Sequence, residues 1–359
     1  MAWQGIEGHD DVVARFRLAL ARGRLASTFL FVGPPGIGKR AFAEKLAQAL
    51  LCHHSGDDPL APCGHCDSCV QVVSHTHPDL LLIEKPDDKS VIPVELFIGP
   101  KERRMREGLC HDIAMKPFMG GRKVAIIDDA DYLNEESANA LLKTLEEPPP
   151  HSILILIGTS ADKQLPTIRS RAQTLRFQPL PTETVAKLLL SQGLAAESQQ
   201  AARMAEFAEG SLQRAVELSD EALWGFRLQL LDALSQPRLA SVSLAQQVVT
   251  FVEAAGKEAG PRRSRARQLV GFTIDFYRQL LRGRCGMAAE GDNALVGMAS
   301  KALATWPGDA ETAAACIDRS LETLTHIDRN AHQTTLVECW LDDLAQIVET
   351  GHGVPSYGE

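Results

Sequence analysis

Residues 33–39 (GPPGIGK) have the residue types and spacing of a phosphate-binding loop. Glycines let backbone N–H groups turn inward around a phosphate. The loop follows an apolar run, FLFV at 29–32, and opens a helical pattern, which is the context that this motif requires. The helix dipole there favours an anion, and the lysine would reach the β and γ phosphates of a nucleotide. The candidate nucleotide-binding residues of this loop are Gly33, Gly36, Gly38 and Lys39.

Two features depart from an ATPase site of this type. Arg40 stands where Ser or Thr normally supplies a hydroxyl to Mg²⁺, and a guanidinium has no lone pair with which to ligate a cation. Asp128 and Asp129 follow the run VAII, but the second acid is usually Glu. The side chain of Asp129 is one methylene shorter, so it would hold a water about 1 Å out of place, which can cost about a hundredfold in rate. These residues predict weak or absent hydrolysis. Both a site that binds ATP or ADP and a vestigial one remain open.

Four cysteines are clustered with the spacing C-x10-C-x2-C-x2-C. Two C-x-x-C steps that share a cysteine bring three thiolates together, and the first cysteine can complete a tetrahedron of the kind that holds structural zinc. Neighbouring histidines could replace a thiolate, and the alternative is a redox cluster or a set of unliganded thiols. The predicted zinc ligands are Cys52, Cys63, Cys66 and Cys69. We expect the scattered cysteines to be small core residues; these are Cys110, Cys285, Cys316 and Cys339.

The composition limits the classes of function. The chain has 359 residues, enough for two or three domains, and its aromatic content of 5% with frequent Ala and Leu favours helices. The net charge of -9 argues against general nucleic-acid binding. The first residues lack a secretory pattern, and no apolar stretch approaches the roughly 20 residues that span a bilayer. We therefore expect a cytoplasmic protein without membrane contact, and a metal cluster rather than disulfides.

The pattern of apolar residues changes along the chain. Short apolar runs at 29–32, 79–84, 124–127 and 153–157 are separated by helical patterns, which predicts a parallel sheet covered on both faces. A helix is predicted at 134–147, capped by Asn134 and ended by prolines. No strand pattern follows the segment QPLP at 178–181. The remainder predicts three short helices over 182–220 and then longer helices, including 265–282 and 332–349.

The combination resembles the bacterial clamp-loader family of AAA+ proteins, to which the gamma/tau and delta-prime subunits of DNA polymerase III belong. A cysteine cluster between the phosphate-loop helix and the next strand is unusual elsewhere. Four further segments are similar: THPD at 76–79, NALLKTLEEPP at 139–149, Thr159 at the polar sensor position, and TIRSR at 167–171. The family has Ser-Arg-Cys where this chain has Ser170-Arg171-Ala172. The resemblance is dense over residues 5–220 and weaker beyond, where Arg329-Asn330 precedes a final amphipathic helix.

The resemblance implies a fold and a division into domains. It implies an α/β P-loop AAA+ domain with a parallel sheet and an inserted zinc module, followed by a small helical lid domain and an all-α C-terminal collar domain. The implied boundaries are 1–178 for the AAA+ domain with its zinc module at 52–69, then 179–220 for the lid, 221–350 for the collar and 351–359 for a flexible tail.

Within the family, the residues resemble the delta-prime type more than the motor type. Motor subunits carry Ser or Thr after the lysine, an Asp-Glu pair, and an arginine after Gly-Ser-x in the lid. Here Gln213 takes that last position, and Arg214 comes one residue later, about 100° around the helix. The three departures agree. They imply a subunit that has no intrinsic activity but is a component of the DNA polymerase III holoenzyme, whose polymerase activity belongs to the complex.

The implied role centres on Arg171. In the resemblance it is an arginine finger that acts in trans on the nucleotide of a neighbouring motor subunit, while the alternative is a surface arginine that caps a helix carbonyl. The implied partners are the gamma/tau and delta subunits, the sliding clamp and, through the complex, primed DNA. Asp128, Asp129 and Thr159 would complete this chain's own nucleotide site. An active gamma/tau-like motor and a zinc-dependent DNA-binding module are the alternative functions.

Overall fold

The computed structural model describes residues 3–54, 56, 58–86, 89–328 and 331–351. They divide into two compact units, Met1–Ser219 and Asp220–Glu359. The strands of the first unit are β1 Thr28–Val32, β2 Leu80–Ile83, β3 Lys123–Ile127, β4 Ser152–Gly158 and β5 Gln173–Arg176. Its α-helices are α1 Asp10–Ala21, α2 Lys39–Leu51, α3 Asp67–Val73, α4 Glu95–Ile98, α5 Leu109–Ala114, α6 Glu135–Glu146, α7 Pro166–Arg169, α8 Thr182–Ser191, α9 Ser198–Phe207 and α10 Leu212–Glu217.

The strands form one parallel sheet in the order β2-β3-β4-β1-β5. The central strands β1, β3 and β4 are buried along their whole length, as the continuous apolar runs predicted. The predicted α/β sheet is therefore confirmed. The edge strand β5 was not predicted from the sequence, because in QTLR only Leu175 is buried and its neighbours are polar. A strand with a single buried residue has too little apolar pattern to be recognised.

Alternate residues of the central strands face two separate cores. On one face, Phe29 and Phe31 of β1 pack with Phe42 of α2 and with residues of α1. On the other face, Leu30 and Val32 of the same strand pack with residues of α4, α5 and α6. The predicted cap of α6 is present, since the side chain of Asn134 accepts a hydrogen bond from the backbone N–H of Ser137 at 2.8 Å. Both faces of the sheet are covered by helices.

Three short helices, α8, α9 and α10, follow the last strand, as the sequence predicted for 182–220. They enclose an apolar cluster of their own that includes Val185, Leu189 and Met204. They belong to the same compact unit as the sheet, whose boundary lies at Ser219. The division into an AAA+ domain at 1–178 and a lid at 179–220 stays a prediction. Of the predicted tail, residues 352–359 lie outside the described part of the chain, and so do residues 329 and 330.

The described residues of the second unit form helices and no strand, as the sequence predicted. These are α11 Glu221–Leu234, α12 Ser241–Glu253, α13 Ala259–Arg284, α14 Asn293–Thr305, α15 Ala310–Asp328 and α16 Gln333–Thr350. Trp340, Tyr277 and Phe276 are among its largest fully buried side chains. The expectation for the scattered cysteines is half wrong: Cys110 and Cys316 are buried, but Cys285 and Cys339 are exposed. No helix within the described ranges is long and apolar enough to cross a membrane.

A buried ion pair links two helices of the second unit. The Arg227 guanidinium of α11 donates to the Asp292 carboxylate at 2.5 Å, and it also lies over the rings of Trp224 and Phe272. Asp292 caps α14, because it accepts from the backbone N–H groups of Ala294 and Leu295. Burial raises the pKa of Asp292, but the hydrogen bonds from Arg227 outweigh it, and the pKa lies below its ordinary value. The pair therefore favours the ionised cap.

We expect Arg227→Ala to lower the free energy of unfolding of the second unit by about 3 kcal/mol, since the change leaves a partly buried carboxylate without its counter-charge. Tryptophan fluorescence during urea unfolding of the full chain measures it, because three of the four tryptophans, Trp224, Trp306 and Trp340, lie in that unit. The control is Arg238→Ala, whose exposed pair with Glu349 should contribute less than about 1 kcal/mol. Equal losses in the two variants would contradict a special role for the buried pair.

Candidate functional site

The phosphate loop joins the buried strand β1 to α2, as predicted. Gly36 and Gly38 have φ angles of 73° and 94°, a region that side chains with a Cβ rarely adopt. The backbone N–H of Gly33 donates to the carbonyl of Thr159 at the end of β4, with a distance of 3.2 Å. This hydrogen bond joins the loop to the next strand in the sheet. The loop thus lies at the carboxyl edge of the sheet, where parallel α/β folds place their ligands.

Lys39 is folded back onto its own loop. Its Nζ atom lies 2.6 Å from the carbonyl oxygens of both Gly33 and Pro34, and the residue is only 7% exposed. Burial lowers the pKa of Lys39, and the nearby charges of Asp128 and Asp131 oppose that shift. The ammonium group is thus held where a phosphate on the loop would meet it. A bound phosphate would have to replace these two carbonyl oxygens.

Arg40 lies among three carboxylates at the same edge of the sheet. Its guanidinium donates to Glu44 at 3.0 Å, to Glu84 at 2.5 Å and to Asp128 at 3.4 Å. Glu84 follows β2 directly and Asp128 follows β3 directly, so the pairing of these neighbouring strands brings the two acids together. Burial disfavours the charge on Arg40, but the hydrogen bonds to Glu44 and Glu84 outweigh it and raise its pKa above the ordinary value. Asp128 is therefore already paired with a cation of the chain itself.

Asp129, the second predicted acid, has a left-handed backbone with φ of 55°. Its N–H donates to the side chain of Asp128 at 2.9 Å, which ties the two acids together. Burial is the main cause that raises the pKa of Asp129, and the charge of Asp128 adds to it.

The sensor candidate Thr159 is held by an acid that the sequence analysis did not single out. The carboxylate of Asp131 accepts from the Thr159 backbone N–H at 2.8 Å and from its hydroxyl. The same carboxylate accepts from the side-chain amide of Gln164 at 2.8 Å. Thr159 is thus fixed at the end of β4, beside the phosphate loop that its carbonyl contacts. Its hydroxyl is engaged as a donor within the chain.

The start of α10 lies directly against the phosphate loop. The carbonyl of Gly36 accepts from the backbone N–H of Leu212 at 3.0 Å, and a Cβ at Gly36 would come within 2.6 Å of the Cβ of Gln213. Gln213 therefore lies against the phosphate loop. Arg214 is turned elsewhere, since its guanidinium pairs with Glu209 at 2.9 Å. The one-residue offset noted in the sequence places the positive charge away from the loop.

Arg171 follows the short helix α7 on the surface of the first unit. Its NH1 atom donates to the carbonyl of Thr167 at 2.9 Å, so it does cap that helix. Its NH2 atom donates to the carboxylate of Glu146 at 2.6 Å, and about a third of the side chain is exposed. The surface-cap alternative describes this arrangement, and an arginine finger remains compatible with it because the side chain reaches solvent. The side-chain hydrogen bonds of Arg171 are with Glu146, Thr167 and Ser170, none of which is a residue of the phosphate loop.

The four clustered cysteines converge as predicted. All four Sγ atoms lie within 4.8 Å of one another, and those of Cys63 and Cys69 are 3.9 Å apart. Zinc bonds to sulfur of about 2.3 Å give an edge of about 3.8 Å in a tetrahedron, so the group fits that ion. Backbone N–H groups of Cys63, Cys66 and Cys69 each donate to the sulfur of the preceding cysteine at 3.4 Å. Burial raises the pKa of the Cys66 thiol, but hydrogen bonds, first those from the backbone N–H groups of Cys69 and His53, outweigh burial and lower this pKa to about 6, because such donors stabilise a thiolate.

The segment THPD connects the cysteine cluster to the sheet. The hydroxyl of Ser68 on α3 lies 2.9 Å from Nε2 of His77, and the backbone N–H of Asp79 donates to the other ring nitrogen of His77 at 3.0 Å. The buried carboxylate of Asp79 accepts from the backbone N–H groups of Phe118 and Met119, before β3. The residues that contributed to the resemblance here have a structural role. They hold the cluster on the sheet.

Sequence reasoning missed the acids that hold the site residues. Glu44 could have been found, because it stands one helical turn after Arg40 with the spacing of a helix ion pair. A histidine was missed as well. His9 Nε2 lies 2.8 Å from the carbonyl oxygen of Ile37 in the loop, and no spacing pattern in the sequence indicates this contact. The remaining acids that hold predicted site residues are Glu84, Asp131 and Glu146. Their positions depend on strand order and helix packing.

Comparison with known proteins finds relatives among the subunits of DNA polymerase III. Residues 8–181 match the family described as DNA polymerase III, delta subunit. The chain is 37% identical over 160 residues to a DNA polymerase III subunit delta' of Pseudomonas aeruginosa, covering 45% of each chain. It is 32% identical over 201 residues to the subunit delta' of Bacillus subtilis, covering 56% of each. It is also 32% identical over 222 residues to the subunit tau of Escherichia coli, covering 61% of this chain and 32% of that one.

The alignments span about half the length of these delta' relatives and a third of the tau relative. Residues 8–181, just under half of the chain, are thus similar to the DNA polymerase III delta-subunit family, in line with the clamp-loader proteins that the sequence resembles.

Proposed function

We propose that this chain is a subunit of a replicative clamp loader that does not hydrolyse ATP itself. In this role it helps to open the sliding clamp and to load it on primed DNA, together with gamma/tau and delta subunits. It supplies Arg171 as an arginine finger to the nucleotide of a neighbouring motor subunit. The match of residues 8–181 to the delta-subunit family model and the likeness to both delta' and tau relatives support the clamp-loader role.

The observation that carries the absence of hydrolysis is the pairing of Arg40. In a working site of this class, Mg²⁺ lies between the hydroxyl after the lysine and the acid after β3. Here the guanidinium of Arg40 contacts Asp128 at 3.4 Å and Glu84 at 2.5 Å, so the chain's own positive charge stands in the place of the metal. A divalent cation beside that guanidinium would be repelled. Asp129 is shorter than the Glu that a motor subunit has at that position, and Gln213 lacks the positive charge of the motor subunit's arginine.

The zinc module and the second unit have supporting roles in this proposal. A four-cysteine site has no open coordination position, so its zinc would be structural and would stabilise the segment between α2 and β2. The helices of 221–350 would form the collar that joins the subunits of the ring. In this proposal the loop is vestigial for catalysis, while Gly33, Gly36, Gly38 and Lys39 keep the geometry to hold ADP or ATP.

A nucleotide titration tests the role of Arg40. We expect Mg²⁺ to leave the affinity of the chain for ATP and ADP unchanged, because no hydroxyl follows Lys39 and Asp128 is paired. In Arg40→Thr, a hydroxyl replaces the guanidinium and Asp128 is released, and Mg²⁺ should then tighten ATP binding by about tenfold or more. The measurement is isothermal titration calorimetry of the purified chain with and without Mg²⁺.

The matched control is Arg103→Thr, which removes an exposed arginine paired only locally with Glu107 and should behave like the unchanged chain. Tight, Mg²⁺-dependent ATP binding and turnover by the unchanged chain alone would contradict this proposal. That result would instead establish the alternative of an active gamma/tau-like motor.

A further inference from the structure

Glu146 is the residue that holds the guanidinium of Arg171. It is the last residue of α6, and its Oε1 atom accepts from NH2 of Arg171 at 2.6 Å. The other terminal nitrogen of the guanidinium donates to the carbonyl of Thr167 at 2.9 Å and to the hydroxyl of Ser170 at 3.2 Å. Three acceptors from two elements thus surround one side chain. These contacts hold the guanidinium between α6 and the end of α7.

These contacts occupy the part of Arg171 that would meet a phosphate. Arginine recognises phosphate oxygens through its planar fork of terminal N–H groups. Both terminal nitrogens already donate within the chain, and one of them donates to a full negative charge. NH2 is the terminal nitrogen that donates to the carboxylate, so a phosphate that approaches this side of the fork meets the negative charge of Glu146. Glu146 therefore competes with the nucleotide for the finger.

The pair is open enough for this exchange. About a third of the Arg171 side chain and half of the Glu146 side chain are exposed. Both line an open surface cavity of about 520 Å³ that is also bounded by Ser27, Pro148 and Ser170. An exposed ion pair shifts an equilibrium by only about 1.5- to 5-fold. A phosphate group with more than one negative charge can therefore displace the carboxylate.

We propose that Glu146 is a positioning residue. Its carboxylate holds the guanidinium of Arg171 against α6 until the nucleoside triphosphate of a neighbouring subunit binds that guanidinium. This rests on the proposed finger role of Arg171. The carboxylate lowers the fraction of time in which the terminal N–H groups of Arg171 are free. It thereby limits the rate of ATP hydrolysis at the neighbouring site. The adjacent Glu147 is exposed and provides a control with the same charge on the same segment.

The first experiment measures the contact in the isolated full chain. Phenylglyoxal, an arginine-selective reagent, is applied to the unchanged chain and to Glu146→Gln and Glu146→Ala, and modification of Arg171 is followed by peptide mass spectrometry. We expect the rate at Arg171 to rise about 1.5- to 5-fold in both variants, and more in Glu146→Ala. Glu147→Gln should leave it unchanged. An equal rate of Arg171 modification in all four chains would show that Glu146 does not hold Arg171, and would overturn the proposal.

The second experiment measures the consequence in the assembled complex with gamma/tau, delta, clamp and primed DNA. Because the finger acts on transition-state charge, Glu146→Gln should raise kcat at the neighbouring site about 1.5- to 5-fold and leave the KM for ATP within about twofold. Glu147→Gln should change neither. In an Arg171→Ala background, Glu146→Gln should have no further effect. An unchanged or lower kcat in Glu146→Gln would overturn the proposal.

The two experiments separate this inference from the proposed function. If phenylglyoxal modification rises in Glu146→Gln but Arg171→Ala leaves hydrolysis unchanged, the finger role is rejected and the Glu146 contact alone survives. If Arg171→Ala lowers hydrolysis and Glu146→Gln changes neither modification nor kcat, the finger role stands and the positioning role of Glu146 is rejected.

Discussion

Arg171→Ala is expected to slow ATP hydrolysis at the adjoining motor site about a thousandfold while the complex still assembles. A finger guanidinium stabilises charge that develops on the transferred phosphoryl group, and alanine offers no donor in its place. Assembly should survive because the side chain makes only surface contacts within its own unit, to Glu146, Thr167 and Ser170. The effect therefore concerns kcat and not the formation of the ring.

The measurement is single-turnover hydrolysis by the reconstituted complex. Only the bound ATP at the site next to this chain should become slow, and a single-turnover time course separates it from ATP bound at any other site. Arg171→Lys keeps the charge but loses the fork, and should recover part of the rate. Arg169→Ala is the matched control, since it removes an arginine two residues away that pairs with the exposed Asp162. Unchanged hydrolysis in an assembled Arg171→Ala complex would exclude the finger role.

Cys66→Ser should abolish zinc binding. A serine hydroxyl is a poor zinc ligand beside three thiolates, and the sulfur of Cys66 also accepts the backbone N–H of Cys69 at the start of α3. Apparent binding free energies of structural zinc are about 10–16 kcal/mol in zinc-finger peptides, so the loss of one ligand removes a large stabilising contribution. We expect the segment 52–69 to lose its protection from hydrogen exchange, while the sheet stays folded.

Zinc content by mass spectrometry and hydrogen–deuterium exchange measure the two effects. The sheet has a separate source of stability, because its core consists of apolar side chains from β1, β3, β4 and the surrounding helices. Cys285→Ser is the control, since that cysteine is exposed in the second unit. This variant should retain one zinc per chain. Cys52→Ser gives an independent check of the ligand set. One zinc per chain still fully bound to Cys66→Ser would show that the ligand assignment is wrong.

The parts of the fold that could be predicted are those that have a local pattern. Continuous apolar runs predicted β1 to β4, and a capping residue with flanking prolines predicted α6 to within a residue at each end. The cysteine spacing predicted a cluster that the structure brings together. The strand β5 was missed because its sequence has one apolar residue among polar ones. Exposed Cys285 and Cys339 were assigned to the core because residue type alone does not report burial.

The sequence by itself determined the identity of the phosphate loop, the absence of a hydroxyl after Lys39, and the cysteine spacing. Only the tertiary structure decided which acids face the two arginines. Arg40 meets Glu84 and Asp128 from 44 and 88 residues away, and Arg171 meets Glu146 from 25 residues away. Such neighbours are set by the order of parallel strands and by the packing of helices on them. A local pattern of residues predicts the secondary structure of its own segment. The charged partner of a side chain depends on how elements far apart in the sequence pack together.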